Sequence, residues 1–90
     1  MPEYHAAFYR FAEDKGWYVV SVLDFPGVNT QGRTLREARA MVKDALQLMV
    51  ECYLEQGRKL PRPNPQARDA AAKRIEKVRL LVRVQRPVPA

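Results

Sequence analysis

Ninety residues of ordinary hydrophobic content, with a formal net charge of +6, fit one small globular domain and exclude a second hydrophobic core. No apolar run approaches the roughly 20 residues that cross a bilayer, and no basic and apolar leader opens the chain, so we expect a cytoplasmic protein without a membrane partner. Cys52 is the only cysteine, which excludes an intrachain disulfide and a cysteine-rich zinc site.

An aromatic-rich segment comes first in the chain. Residues 4–12 predict a strand, residues 13–16 a hairpin loop and residues 17–23 a second strand. Both faces of this hairpin are apolar, whereas one helix covers only one face of a sheet. The second face therefore predicts a partner, most simply a second copy of the chain. Its candidate interface residues are Tyr9, Phe11, Trp17 and Val19.

A turn and a short strand follow the hairpin. Pro26 and Gly27 have the chemistry of a turn, because proline fixes φ and glycine accepts a positive φ. Residues 28–31 predict a third strand, which ends at Gly32.

A long helix comes next. Thr34 and Glu37 form a capping box at its start, with the Thr34 hydroxyl accepting from the Glu37 amide and the Glu37 carboxylate reaching back to the Thr34 amide. The helix is predicted to continue to residue 56, with Gly57 just beyond its C-terminus. Its apolar positions recur at spacings of three and four and form one stripe that needs burial. These positions are Leu35, Ala38, Met41, Val42, Ala45, Leu46, Met49 and Tyr53.

A proline-rich connector and variable segment covers residues 60–76. Its prolines favour an extended path, and residues 66–74 predict either a short helix or a charged loop. Residues 77–85 then alternate between apolar and mostly basic positions, which predicts a final strand. The sequence thus predicts a single α+β domain over residues 1–90, in the order β-β-β-α-β. An antiparallel meander is completed by the final strand, and the helix packs on one face.

Charge is concentrated near the C-terminus. Residues 1–56 carry six Lys or Arg and eight Asp or Glu, whereas residues 57–90 carry ten and two. Such asymmetry indicates either an acidic partner or a solvated basic segment. The candidate phosphate contacts are Lys77, Arg79, Arg83 and Arg86, although the favoured interpretation is that these charges protect an edge strand from aggregation.

Few residues are candidates for catalysis. A metal nuclease needs several carboxylates around its ions, whereas Asp24 stands alone among apolar residues and is predicted to bond to the turn amides around Pro26 and Gly27. His5 is interpreted as a strand residue at a surface or interface, and Cys52 as a packed or interfacial thiol. We therefore expect no enzyme, no metal and no cofactor.

The segment from Gly16 to Ala38 resembles the N-terminal domain of the HicB-like antitoxins. That family shows a Gly-aromatic-hydrophobic strand, then Pro-Asp-Leu-Pro-Gly, Thr-x-Gly and Thr-x-x-Glu-Ala at the start of a long helix, followed by Leu-Pro-x-Pro. The corresponding segments here are 16–20 (Gly-Trp-Tyr-Val-Val), 24–27 (Asp-Phe-Pro-Gly), 30–32 (Thr-Gln-Gly), 34–38 (Thr-Leu-Arg-Glu-Ala) and 60–63 (Leu-Pro-Arg-Pro). Leu23 stands where the family prefers proline.

The resemblance implies a partly RNase H-like fold without nuclease activity, with the last strand beside the first. It also implies a homodimer or homotetramer, and an antitoxin that binds and occludes a small mRNA-cleaving toxin. Many family members add a DNA-binding domain, for which residues 66–90 are too short. The alternative functions are nucleic-acid binding through the basic C-terminal third and an orphan structural or regulatory role.

Overall fold

The computed structural model describes residues 3–11 and 16–80. The elements in chain order are β1 (Glu3–Arg10), β2 (Tyr18–Val22), β3 (Asn29–Gly32), α1 (Leu35–Glu55) and β4 (Arg74–Arg79). The strands form one antiparallel sheet in the order β3-β2-β1-β4, so the last strand lies beside the first. α1 packs on one face of this sheet, which confirms the predicted α+β fold.

The final strand begins earlier than predicted. It starts at Arg74 rather than Lys77, because pairing with β1 already starts between Arg74 and Phe8. Apolar alternation did not reveal this start, since Arg74 and Glu76 are charged residues at positions that face α1 and form an ion pair there. The part of the prediction covering residues 81–85 lies outside the described residues.

Two smaller differences concern the segments between elements. β3 is shifted by one residue, from the predicted 28–31 to Asn29–Gly32. Residues 66–73 form turns and irregular backbone rather than a short helix. Asn64 and Asp69 explain the turns locally, because the Asn64 side chain accepts from the Gln66 amide and the Asp69 side chain accepts from the Ala71 amide.

The core lies between α1 and the sheet. Three aromatic rings meet edge to face within it, with Phe25 5.1 Å from both Tyr4 and Tyr53. Most of the predicted helix stripe is buried or packed against this core, but Val50 is also buried, whereas Met41 is exposed. The buried row of α1 repeats every four residues and consists of Ala38, Val42, Leu46 and Val50.

Both ends of α1 are capped. The Thr34 hydroxyl accepts from the Glu37 amide at 3.0 Å, as predicted, but the Glu37 carboxylate accepts from the Arg33 amide at 3.4 Å rather than from Thr34. At the other end Gly57 has a φ of 68°, and its amide and the Arg58 amide bond to carbonyls of the last turn. Gly57 is therefore the predicted residue beyond the helix.

Gly32 permits a close contact between β3 and α1. A Cβ atom at this position would lie 2.5 Å from the main-chain nitrogen of Ala38 and 2.8 Å from its Cα. Neither backbone atom can move without displacing the first turn of α1. Only glycine therefore allows the strand to pass this close to the helix. Within the described residues, no helix is long and apolar enough to cross a membrane.

Candidate functional site

The side of the sheet opposite α1, called the far face here, carries the candidate site. β1 contributes His5, Ala7 and Tyr9 to it, because these alternate with the core residues Tyr4 and Phe8. These three residues are buried although α1 lies on the other side of the sheet. The fold therefore covers part of the far face without its helix.

The connector, residues 60–73, crosses from the helix side of the sheet to the far face. Near its start the Tyr4 hydroxyl donates to the Pro61 carbonyl at 2.6 Å, beside the core. The Asn64 amide then donates to Asp24 Oδ2 at 2.9 Å. The alternating prolines keep this stretch extended, which suits a path around the end of the sheet.

The connector then continues beside β1. The Tyr9 hydroxyl donates to Asp69 Oδ2 at 2.6 Å, and the Lys73 amide donates to the Phe8 carbonyl at 2.7 Å, just before β4 begins. Burial and the adjacent Asp69 carboxylate raise the pKa of Tyr9 to about 12. The connector therefore covers part of the far face, which was predicted to be covered by a partner.

Three of the four candidate interface residues lie close together. Tyr9 stacks on Phe11 with ring centroids 5.9 Å apart, and it is the register partner of Val19. The ring of Trp17 lies under the Arg33 guanidinium, with 5.2 Å from the guanidinium carbon to the ring centroid. Phe11 is 43% exposed, and Val19 and Trp17 are half-buried. A homodimer or homotetramer stays a prediction and now depends on these partly exposed side chains.

Asp24 forms the most connected polar contact of the far face. Its Oδ1 accepts from the His5 amide at 2.7 Å, while Oδ2 lies 2.7 Å from His5 Nδ1 and accepts from the Asn64 amide. The prediction that Asp24 bonds to the amides around Pro26 and Gly27 is wrong. The observed donors come from β1 and the connector, which are distant in sequence.

Two opposing effects act on the pKa of Asp24. Burial would raise it, but hydrogen bonds from the His5 amide, the His5 ring and the Asn64 amide lower it below its ordinary value. Asp24 is therefore a carboxylate at neutral pH and can only accept. The Nδ1–H group of His5 consequently donates a hydrogen bond to Asp24 Oδ2. The contact ties β1, the turn after β2 and the connector together.

This Asp24–His5 arrangement is the kind that orients an imidazole in acid–base catalysis. The one thiol of the chain is not placed to use it, because Cys52 lies on α1, across the sheet. Cys52 is also exposed rather than packed. Within residues 3–11 and 16–80 no group of three or more His, Cys, Asp or Glu side chains can hold a metal ion. The observed contacts of Asp24 are with two main-chain amides and the His5 ring.

Two of the four basic candidates, Lys77 and Arg79, lie on β4. Lys77 and Arg79 are exposed and pair in register with His5 and Glu3, and Arg79 Nε lies 3.4 Å from Glu3 Oε2. Arg83 and Arg86 lie outside the described residues. The structure thus places two of the four candidate phosphate contacts on one exposed strand, and one of these has an acidic neighbour.

A groove of about 250 Å³ lies between α1 and β4. Arg39 of α1 crosses it with two hydrogen bonds to Glu76, at 2.9 and 2.7 Å, and holds the pKa of Glu76 below its usual range. Arg74 also contacts Glu76 at 2.7 Å. The sequence did not reveal the contact between Arg39 and Glu76, because 37 residues separate them.

The relatives of the chain point to one family. A UPF0150 protein of Thermoplasma acidophilum is 38% identical over 52 residues, which are 58% of this chain and 75% of that protein. Antitoxin HicB of Escherichia coli K12 is 41% identical over 51 residues, which are 57% of this chain but only 37% of the antitoxin. This match therefore covers well under half the length of that relative.

Solved structures of a HicB antitoxin domain and of a toxin–antitoxin complex share this fold. The N-terminal domain of Burkholderia pseudomallei antitoxin HicB superposes with a TM-score of 0.71 at 25% identity, covering 87% of this chain and 96% of that domain. A chain of a toxin–antitoxin complex from Streptococcus pneumoniae gives 0.70 at 25% identity, covering 84% and 66%. The family model described as the HicB-like antitoxin of bacterial toxin–antitoxin systems matches residues 3–89. This chain belongs to the HicB-like antitoxin family.

Proposed function

We propose that the chain is a non-catalytic antitoxin module that binds a small mRNA-cleaving toxin and occludes its active site. The observation that carries this proposal is the fold shared with a chain of a toxin–antitoxin complex, together with family membership. The far face supports it, because the buried Asp24 carboxylate is occupied by hydrogen bonds within the chain, whereas Phe11 stays exposed. A cytoplasmic location stays a prediction.

The experiment is co-expression with a candidate toxin, namely a short basic protein encoded beside this gene. We expect that protein alone to arrest growth and degrade mRNA, and co-expression of the full chain to restore growth. The two proteins should also elute together in size-exclusion chromatography. Continued growth arrest in the presence of the folded chain would contradict the proposal.

We also propose that the exposed part of the far face mediates self-association. Phe11 continues the Tyr9 stack outward, which makes it a suitable centre for an interface between copies. Size-exclusion chromatography with light scattering should show a dimer or tetramer for the wild type and a smaller species for Phe11→Ser. A wild-type monomer at high concentration would overturn this assignment.

Nucleic-acid binding through the basic C-terminal third is the alternative. Exposure of Lys77 and Arg79 on one strand favours it, whereas the contact between Arg79 and Glu3 disfavours it. Binding to RNA or DNA should then weaken steeply as salt increases, because counterions are released on binding. Absence of binding at low salt would exclude this alternative.

A further inference from the structure

α1 carries a second row of apolar residues, three of which are exposed. This row, called the outer stripe, consists of Met41, Ala45, Leu48 and Cys52, with spacings of four, three and four residues. Ala45 is half-buried and packs against the core. Met41 is 44% exposed, Leu48 is 63% exposed and Cys52 is exposed as well. At 3.6 residues per turn the row lies on the flank of α1 that is turned away from Arg39 and β4.

An acidic row runs beside the outer stripe. This acidic ridge consists of Glu37, Asp44, Glu51 and Glu55, which are exposed and recur at spacings of seven, seven and four. None of the four forms an ion pair with any residue in the ranges 3–11 and 16–80. The basic residues Arg36, Arg39 and Lys43 lie on the other flank of α1. The solvent-facing surface of the helix is therefore divided by charge, although the chain as a whole is basic.

A second copy of the chain fits this surface poorly. Two α1 helices that met antiparallel along the outer stripe would bring one acidic ridge against the other, because equivalent flanks face each other in antiparallel helix pairs. The carboxylates of the two ridges would repel each other, and this repulsion opposes association. The charge pattern instead complements a partner with basic residues beside its apolar row.

We propose that the outer stripe and the acidic ridge together bind an amphipathic helix of a basic partner protein. From Met41 to Cys52 the stripe extends about 16 Å, which matches three turns of a partner helix. Apolar side chains of that helix would cover Met41 and Leu48, and its Lys or Arg side chains would lie along Asp44 and Glu51. The inference rests on the proposed function, since the toxin would supply this helix.

The test uses Cys52 as an internal reporter. The probe is an 18-residue peptide of leucine and lysine with its leucines at helical spacings of three and four, added to the full chain. We expect the peptide to slow the reaction of Cys52 with a thiol reagent by several-fold, and high salt to reverse this protection. A matched peptide with glutamate in place of lysine should give no protection. Equal protection by both peptides, or by neither, would overturn the proposal.

Matched variants on the two flanks of α1 localise the binding. Leu48→Ala should weaken peptide binding about tenfold through lost apolar contact, and Asp44→Lys should weaken it several-fold through charge. Leu54→Ala and Lys43→Gln change an exposed apolar residue and an exposed charged residue on the opposite flank, and both should bind like the wild type. A loss of binding in these controls would contradict the assigned surface.

Two further outcomes separate this inference from the proposed function. Rapid formation of a disulfide between Cys52 residues under mild oxidation would show a second copy on the stripe and overturn the inference. Toxin neutralisation with unchanged affinity by Leu48→Ala and Asp44→Lys would overturn it as well, while the antitoxin function would stand. If a neighbouring toxin is not bound but the peptide protects Cys52, the antitoxin function fails and the binding surface stands.

Discussion

The two oxygens of Asp24 both contact His5, one through the main-chain amide and the other through ring nitrogen Nδ1, each at 2.7 Å. One residue of β1 therefore holds both ends of a single carboxylate in the turn after β2. The Asn64 amide adds a third contact from the connector. Loss of this carboxylate should loosen three segments together.

Asp24→Asn should lower the free energy of unfolding by about 2–4 kcal/mol, because an amide group would face donors at His5 and Asn64. Chemical denaturation with circular dichroism measures the change. Asp44→Asn is the control, since that carboxylate is exposed on α1, and it should stay within about 0.5 kcal/mol of the wild type. Equal stability of the Asp24 variant would contradict the structural role.

Acid should destabilise the wild type through the same contact. The folded-state pKa of Asp24 is lowered, so the unfolded chain binds this proton more readily than the folded chain. The contribution is complete above the unfolded pKa of about 3.9 and is lost as the pH falls through the folded pKa. Asp24→Asn should show a shallower loss of stability below about pH 5 than the wild type, measured by urea midpoints across the acid range. Parallel curves would contradict the assignment.

Raising the pH should break the hydrogen bond between Tyr9 and Asp69 on the far face. Its folded-state pKa is about 12, above the ordinary 10.0, so the hydrogen bond to Asp69 stabilises the fold at neutral pH and is lost as the pH rises through these values. Burial also raises the pKa of Tyr4. Phenolate absorbance should therefore show late-titrating tyrosines, and Tyr9→Phe should remove one of them. Asp69→Asn should lower the pKa of Tyr9. An unchanged titration in both variants would refute the contact.

Gly32→Ala should destabilise the chain by about 1–3 kcal/mol, because the added methyl meets the backbone of Ala38. Gly32→Asn should be worse still, since the conflict is one of space. Gly57 is the contrasting position, where nothing lies within 4 Å and only its positive φ matters. There asparagine should be tolerated better than alanine. Thermal unfolding of the four variants distinguishes the two causes.

Neighbouring leucines of α1 should respond very differently to truncation. Leu46 is fully buried, so Leu46→Ala should cost about 2–5 kcal/mol. Leu48 is 63% exposed, and Leu48→Ala should change stability by no more than about 0.5 kcal/mol. Urea denaturation of both variants provides the measurement. A large loss at Leu48 would mean that the outer stripe is part of the core.

Local patterns predicted most of the fold. The hairpin, the Thr34 cap, the long helix and the residue Gly57 beyond it all depend on short-range chemistry that can be read from neighbouring residues. The start of β4 was missed because charged residues there form ion pairs instead of following apolar alternation. Val50 was missed because the predicted stripe continued from Leu46 through Met49 to Tyr53, whereas the buried row continues from Leu46 at a spacing of four.

Long-range contacts account for what the sequence did not reveal in the candidate site. His5 and Asn64 are 19 and 40 residues from Asp24, and no local spacing indicates that they meet. A lone acid and a lone histidine, each among apolar neighbours, were the only signals of a buried pair. The cover that the connector gives the far face was likewise invisible, because polar loops are ordinarily assigned to solvent.

The position of β1 at the centre of the sheet has a consequence during synthesis. This strand is made before the other three, whereas its partner β4 ends at Arg79 and is the last of the four strands to be made. Until then one edge of β1 has no neighbouring strand, and the sheet stays incomplete. The nascent chain should therefore stay sensitive to proteases until residue 79 has emerged, and then become resistant in one late step.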